Sequence, residues 1–292
     1  MRIDLHTHSN VSDGTVSPDT LVHRAAAAGL DVVALTDHDT FDGWPIALTA
    51  ADDTGVVVVP GAEISTRLRG AGVHVLGYLL DPTFEPLRDE LTKVRDSRAN
   101  RLARMTQLLT EAGLPVDVSD VLAAAGPATT IGRPHVADAL VAKGYLTDRT
   151  EAFDRFLSEG GPAYVPKYAL DVHEAVRLIR AAGGVAVLAH PWGRASRRVL
   201  DADTIAALAR SGMDGIEVDH EDHSAQDRAA LRAIAESLDL LITGSSDYHG
   251  TGKSGHELGV NTTDPAEYER LLERAAASTR VAGRGSPLRP IP

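Results

Sequence analysis

Short runs of consecutive apolar residues recur along most of the chain. Most of them are rich in β-branched residues, are bounded by Gly, Pro or Asp, and are too short to be helices. Continuous apolar runs of this length are typical of strands that are buried on both faces. The pattern therefore predicts strands at residues 3–5, 32–35, 56–59, 73–79, 185–189, 215–218 and 240–243.

Amphipathic helical patterns lie between many of these predicted strands. The first begins at an N-cap serine followed by a proline and an aspartate, at residues 17–19, and it ends at Gly29. Alternation of strands with helices predicts an α/β fold with a largely parallel sheet, and seven or so such units indicate closure into a barrel. Further helices are predicted at residues 171–182, 203–210 and 224–238.

The middle of the chain breaks this rhythm. A long helical stretch rich in Arg and Leu covers residues 84–112, and shorter helical pieces follow it. We interpret residues 85–165 as a helical insertion domain, and residues 1–84 and 166–292 as the two parts of the barrel. The shorter predicted helices are at 118–125, 134–143 and 150–157.

Composition excludes several classes of protein. The 292 residues are 43% apolar and 24% charged, as in globular proteins, and the absence of cysteine excludes disulfides, zinc–thiolate sites and a cysteine nucleophile. The net charge of −12 argues against a membrane partner or stable duplex nucleic-acid binding, because phosphate backbones attract clustered Lys and Arg, but it allows a local pocket for a small phosphorylated ligand. Without a signal segment or an apolar run of about 18 residues, we expect a cytoplasmic protein of unknown oligomeric state.

The side chains able to bind a metal collect at the ends of the predicted strands. The carboxyl ends of the strands are where α/β barrels build their active sites. Most of the candidates follow a strand, whereas His74 begins one. The candidates are His6, His8, Asp13, His38, Glu63, His74, His190, Asp247 and His249.

The residue types and the spacing of this set indicate a metal site. Imidazole nitrogen and carboxylate oxygen together suit Mn²⁺, Fe²⁺ and Zn²⁺. The period of two along a strand sends His6 and His8 to the same side, and Asp247 and His249 repeat that spacing. The alternative is a set of structural polar residues at strand ends, which is disfavoured because burying ionisable groups without a metal is costly.

Five local motifs carry a family resemblance. They are DLHTHS at 4–9, ALTDHD at 34–39, PGAE at 60–63, AHP at 189–191 and GSSDYH at 244–249. In this order, they resemble the motifs of the polymerase and histidinol phosphatase (PHP) metal-dependent phosphoesterases. The resemblance implies a distorted (βα)7 barrel that binds two or three divalent metal ions.

The resemblance also implies which side chains hold each ion. One ion would take His6, His8, Glu63 and Asp247, a second would take Glu63, His74 and His190, and a third would take Asp13, His38 and His249. Many family members with three ions carry histidine where this chain has Asp13, so the third site would be more negative. Asp13 could alternatively cap the turn at Gly14.

The helical insertion separates this chain from histidinol phosphatases and from the PHP domains of polymerases. With IGRPH at residues 131–135, the chain is most similar to the stand-alone branch that acts on nucleotides, as nucleoside 3′,5′-bisphosphate phosphatases and 5′→3′ exoribonucleases do. Arg133 and His135 could bind a phosphate at a helix start, or could be a surface cap. His223 is a further candidate substrate contact in the loop 219–223, which could alternatively bind its own metal or be an ordinary polar loop.

These features favour metal-assisted hydrolysis of a phosphate monoester. A hydroxide held between the ions at Glu63 would attack phosphorus, and the third ion or His249 would assist the leaving oxygen. We expect the substrate to be the 3′-phosphate of a nucleoside 3′,5′-bisphosphate, or a short 5′-phosphorylated RNA. Two alternatives are a phosphatase for histidinol phosphate or another small molecule, and a non-catalytic metal-binding regulatory module.

Overall fold

The structure, a computed structural model, describes residues 1–284 and residue 290. Its strands are β1 (Ile3–Asp4), β2 (Val32–Leu35), β3 (Val57–Leu68), β4 (Ala71–Tyr78), β5 (Leu170–Asp171), β6 (Val185–Leu188), β7 (Gly215–Asp219) and β8 (Leu241–Gly244). Its α-helices are α1 (Pro18–Ala27), α2 (Trp44–Thr54), α3 (Glu85–Asn100), α4 (Leu102–Glu111), α5 (Val118–Ala125), α6 (Arg133–Ala142), α7 (Arg149–Ala152), α8 (Val172–Ala181), α9 (Ala202–Arg210), α10 (Ala225–Ser237) and α11 (Pro265–Val281). A π-helical turn covers Phe153–Leu157, and 3₁₀ turns cover Arg194–Arg198 and Gly250–Gly252. None of the described helices is both long enough and apolar enough to cross a membrane.

Seven of the strands form one nearly closed, barrel-like sheet. Its order is β1-β2-β3-β4-β6-β7-β8, and β5 pairs with β3 outside this path. A parallel bridge between Thr7 and Tyr248 brings the two edges together, and the His8 N–H donates to the Tyr248 carbonyl at 2.8 Å. The α/β barrel that the alternating strands and helices predict is confirmed.

The sheet differs from the predicted one in the middle, where it is antiparallel. β3 runs through Pro60 to Leu68, although proline is rare inside a central strand, and it turns directly into β4. Arg69 and Gly70 have φ values of 49° and 85°, as a tight two-residue hairpin requires. Since β4 is antiparallel to β3 and β6, it begins at the end of the barrel where β6 finishes.

Alternate residues of the strands pack on opposite sides of the sheet. Ile3, Leu76 and Val187 belong to the interior cluster, which Leu271 of α11 also joins. Their sequence neighbours, such as Val75 and Leu188, pack outwards against the surrounding helices. Because apolar side chains fill the interior, the strand ends are the places that can carry a polar site.

The helical segment in the middle of the chain packs on two different cores. Helix α3 places Leu91 against the barrel, whereas α4 to α7 bury their apolar faces in a cluster of their own. The helical stretch predicted at residues 84–112 is present as two consecutive helices, α3 and α4, which are divided at Arg101 and face the two different cores. The separation of residues 85–165 as a domain stays a prediction.

Candidate metal centre

The polar side chains predicted from the strand ends lie together at one end of the barrel. Eight of them are buried and His74 is partly buried. The backbone turns sharply where two of the strands end, since His190 and Asp247 have φ values of 25° and 52°. Such conformations cost about 1–3 kcal/mol each and persist only where the surrounding structure imposes them.

Glu63 lies at the centre of this cluster and is 1% exposed. Its two oxygens lie within 3.2 Å of imidazole nitrogens, those of His6, His8 and His38 at Oε2 and those of His74 and His190 at Oε1. Burial alone would raise the pKa of Glu63, but the surrounding imidazoles hold it well below its ordinary value. An ionised carboxylate with imidazoles near both oxygens is suited to bridging two cations.

The first donor set combines His6, His8, Glu63 and Asp247, with ligand atoms within 4.8 Å of one another. The Nε2 atoms of His6 and His8 are 3.0 Å apart. Burial opposes charging the His6 ring, but nearby carboxylates outweigh it and hold the pKa of His6 well above its ordinary value. Carboxylates that attract a proton this strongly will also attract a metal cation.

The second donor set surrounds the other oxygen of Glu63. His74 Nδ1 and His190 Nε2, from two residues predicted to bind the second ion, lie 2.6 and 3.0 Å from Oε1. His38 Nδ1 lies 3.2 Å from Oε2. Among the described residues, the buried Nδ1 atoms of His38 and His74 approach Glu63 without forming a regular hydrogen bond. Orphaned ring nitrogens aimed at a carboxylate fit a metal ion between them.

The third donor set is built around Asp13. Its Oδ1 lies 3.2 Å from His249 Nε2, and its Oδ2 lies 3.7 Å from His38 Nε2. His8 also approaches this carboxylate, with Nδ1 at 3.8 Å. Burial would raise the pKa of Asp13, but His38 and His249 hold it well below its ordinary value. The structure thus brings together the residues predicted for the third ion.

Glu217 supports the first donor set and was missed by the sequence analysis. It is fully buried on β7, where it accepts hydrogen bonds from His6 Nδ1 at 3.0 Å, from the His190 N–H at 2.7 Å and from the Ser245 hydroxyl. Because the Nδ1 proton of His6 is used in this way, its Nε2 lone pair faces the cluster. The available signal was a glutamate inside an otherwise apolar strand.

A fourth group, His220, Asp247 and His256, has ligand atoms at similar spacing. His220 Nδ1 accepts from the Asp222 N–H at 3.0 Å, so Nε2 carries the proton and donates to Asp247 at 3.3 Å. His256 donates from Nδ1 to the Ser246 carbonyl at 2.6 Å. His220 therefore orients Asp247, and neither of its ring nitrogens has a lone pair free for a metal ion.

A cavity of about 700 Å³ extends from the metal centre along the helical segment. Arg133 lines this cavity, with its guanidinium 5.3 and 5.5 Å from the ring centres of Phe153 and Tyr164. His135 and His223, the other two predicted substrate residues, are 3% exposed and do not line it.

Both of those imidazoles are engaged with backbone groups. His135 Nδ1 accepts from the Gly132 N–H at 3.0 Å, and the ring also hydrogen-bonds the Ser12 backbone. His223 donates from Nδ1 to the Val218 carbonyl at 2.9 Å and accepts from the Trp192 N–H at 3.2 Å. The structure brings only Arg133 of the three predicted substrate residues to the cavity.

Lys167 and Arg101 form a cationic wall in the same cavity with Arg133. Lys167 Nζ and Arg101 Nε are buried and make no hydrogen bond within the described residues. Burial and the neighbouring Arg98 hold the pKa of Lys167 well below its ordinary value and lower that of Arg101 to about 9. Sequence analysis missed both residues, because neither belongs to a motif.

Comparison with known proteins identifies close relatives. The PHP domain family matches residues 4–113. A 5′-3′ exoribonuclease of Haemophilus influenzae is 35% identical over 85% of this chain and 90% of its own length. A 3′,5′-nucleoside bisphosphate phosphatase of Chromobacterium violaceum is 34% identical over 88% of this chain and 90% of its own length. A crystal structure from Bifidobacterium adolescentis, described as a candidate metal-dependent phosphoesterase, superposes with a TM-score of 0.89 and 38% identity, covering 93% of this chain and 96% of that one.

Proposed function

Because the chain belongs to the PHP domain family and is a metal-dependent phosphoesterase, we propose that it removes the 3′-phosphate from nucleoside 3′,5′-bisphosphates. The observation that carries this proposal is the single cavity that joins the metal centre to the cationic wall. One phosphate can lie against the metal centre while the wall binds a second phosphate of the same molecule. A monophosphate would leave the wall without a bound phosphate.

We propose that the three donor sets hold two or three divalent ions, Mn²⁺, Fe²⁺ or Zn²⁺. The donors fit such ions, since imidazoles and carboxylates are mixed and buried ring nitrogens of His38 and His74 lack hydrogen bonds among the described residues. When bound, the ions supply an activated water for attack on phosphorus and neutralise the phosphoryl oxygens.

The protein's own residues hold the centre in a geometry ready for substrate. Glu63 keeps its charge between the first two donor sets, and Glu217 and His220 orient His6 and Asp247. His249 donates from Nδ1 to the Asp247 carbonyl at 2.9 Å, so its Nε2 lone pair faces Asp13. We therefore assign His249 to the third donor set instead of to proton transfer to the leaving oxygen.

The second phosphate would be bound by Lys167, Arg101 and Arg133. An ammonium and two guanidinium groups on one wall provide charge-assisted hydrogen bonds to an anion. Burial and the neighbouring Arg98 lower the pKa values of Lys167 and Arg101, and Asp39, 4.0 Å from Lys167 Nζ, is shared with Arg98. These observations support a need for a further anion. A phosphate dianion would meet that need, which favours substrates with two phosphates over those with one.

Short 5′-phosphorylated RNA is the second candidate substrate. The specific observation in its favour is the similarity to the Haemophilus influenzae exoribonuclease across most of both chains. The wall would then hold the terminal 5′-phosphate while the centre acts on the next phosphodiester. Histidinol phosphate and other small monophosphates use only the metal centre, so the wall gives no reason to prefer them.

The proposal is tested by comparing rates on nucleoside 3′,5′-bisphosphate, AMP, histidinol phosphate and a 5′-phosphorylated oligoribonucleotide with Mn²⁺. In the variant Lys167→Met we expect kcat/KM for the bisphosphate to fall about tenfold to a hundredfold, the value of a lost charge-assisted hydrogen bond. Rates on AMP should change little. The matched control is Lys143→Met, because Lys143 pairs with Asp120 on the surface. Equal, slow wild-type rates on all four substrates would reject the bisphosphate pocket.

A further inference from the structure

The loop that carries Asp13 lies between the barrel and the helical segment. On the barrel side, the buried carboxylate of Asp37 fixes its start, accepting from the Ser9 N–H at 2.8 Å, the Ser9 hydroxyl at 2.6 Å and the Ser12 hydroxyl at 2.7 Å. The Gly14 N–H donates to the Ser9 carbonyl at 2.9 Å and the Thr15 N–H to the His249 carbonyl at 3.1 Å. The Asp13 carbonyl takes no part in these bonds.

The helical segment contacts three consecutive residues of this loop. The Thr129 N–H donates to the Val11 carbonyl at 2.9 Å, and the His135 ring hydrogen-bonds the Ser12 backbone. Arg149 then donates from its guanidinium to the Asp13 carbonyl at 2.9 Å. The predicted third-ion ligand is thus tied directly to helix α7, which begins at Arg149.

Arg149 is itself held in a fixed orientation. Its Nε and a terminal nitrogen donate to the two oxygens of Asp138 on α6, at 2.6 and 2.7 Å. This two-point geometry restrains the guanidinium plane, and the side chain is only 13% exposed. The other terminal nitrogen of the guanidinium donates to the Asp13 carbonyl, so α6 and α7 restrain the Asp13 backbone at that carbonyl.

The first donor set is arranged differently. His6 is held by Glu217, and Asp247 is held by His220, both of which follow or lie on barrel strand β7. Neither contact involves the helical segment. These barrel contacts orient the first set, whereas the Asp13 carbonyl is held by the helical segment through Arg149.

We propose that Arg149 is a positioning residue through which helices α6 and α7 set the metal affinity of the third donor set without altering the first. This inference rests on the proposed function, because it requires that the centre can hold a third ion. Without Arg149, the Asp13 backbone gains conformational freedom that ion binding must then remove. Loss of such a supporting contact typically weakens metal binding about 10–100-fold.

The test is metal stoichiometry, measured by elemental analysis and by titration of the metal-free protein with Mn²⁺. We expect wild type to bind three ions, and Arg149→Met to bind two with wild-type affinity and the third about 10–100-fold more weakly. Asp138→Asn should show a smaller loss, and Arg149→Lys should recover part of the affinity. The matched control is Arg155→Met, because Arg155 pairs with Glu151 on the surface four residues away in sequence.

The outcomes separate this inference from the proposed function. If wild type and Arg149→Met bind three ions with equal affinity, the positioning role is wrong and the metal centre stands. If wild type binds only two ions, both the third donor set and its control by Arg149 are wrong. If a folded Arg149→Met, checked by circular dichroism, loses ions from all sets equally, Arg149 does not act on Asp13 selectively and the inference is overturned.

Discussion

Replacing Glu217 with glutamine exchanges one buried oxygen for an NH₂ group. Glu217 is not a predicted metal ligand, but it hydrogen-bonds the predicted ligand His6, so we expect the change to weaken metal binding. The carboxylate accepts from the His6 ring, the His190 N–H and the Ser245 hydroxyl. Glutamine offers one oxygen and one NH₂ group, so a donor must face a donor at one of these contacts. If it faces His6, the ring proton moves to Nε2 and removes the lone pair that faces Glu63.

The size of this effect follows from the contacts that are lost. A hydrogen bond to a charged group contributes about 1.5–3 kcal/mol. The contact with Glu217 stabilises the His6 tautomer that binds a metal ion through Nε2. We therefore expect its loss to lower the affinity for the metal. Loss of a comparable supporting contact costs about 10–100-fold in affinity, or about 1.4–2.8 kcal/mol.

The assay is Mn²⁺ titration of the metal-free Glu217→Gln variant by calorimetry, with kcat/KM measured at limiting and saturating Mn²⁺. We expect weaker binding of at least one ion and a rate that recovers in part at saturating Mn²⁺. Glu236→Gln, an exposed position at the end of α10, is the control and should behave as wild type. Wild-type metal affinity in folded Glu217→Gln would refute the tautomer argument.

Three further predictions concern stability. Arg98→Met leaves the buried carboxylate of Asp39 without its two-point partner, so the free energy of unfolding in a urea titration should fall by about 3–5 kcal/mol; a negligible loss would contradict this. Mn²⁺ at about 100 times its Kd should stabilise the metal-free protein by about 2.7 kcal/mol and raise its Tm by about 5 °C. An equal rise in Tm for the Glu63→Gln variant would contradict the predicted site. Burial raises the pKa of Asp4 from 3.8 to about 6, so its stabilising effect is complete below pH 3.8 and lost as pH rises through about 6. Carbon NMR of the metal-free protein should show that titration, and a midpoint near 3.8 would contradict it.

Local sequence was sufficient to predict the barrel and the candidate ligands. Apolar runs predict strands wherever burial is continuous, and the spacing of His6 and His8 fixes a common side without knowledge of any partner strand. The resemblance to the family motifs then assigned the candidate ligands to individual ions. The direction of β4 was not predictable in the same way, because the tight turn at Arg69 and Gly70 reverses a strand that looked complete at Pro60.

Tertiary structure decided which side chains act together. Glu217 lies 211 residues from the His6 ring that it orients, and Lys167 meets Arg101 only because the helical segment folds back over the barrel mouth. The same geometry engages His135 and His223 with backbone groups, although their sequence positions resembled substrate contacts. Sequence determined which residues reach the strand ends, because strand periodicity is local. Charge compensation and ring tautomers were decided by the fold, because they depend on partners that only folding brings within hydrogen-bond distance.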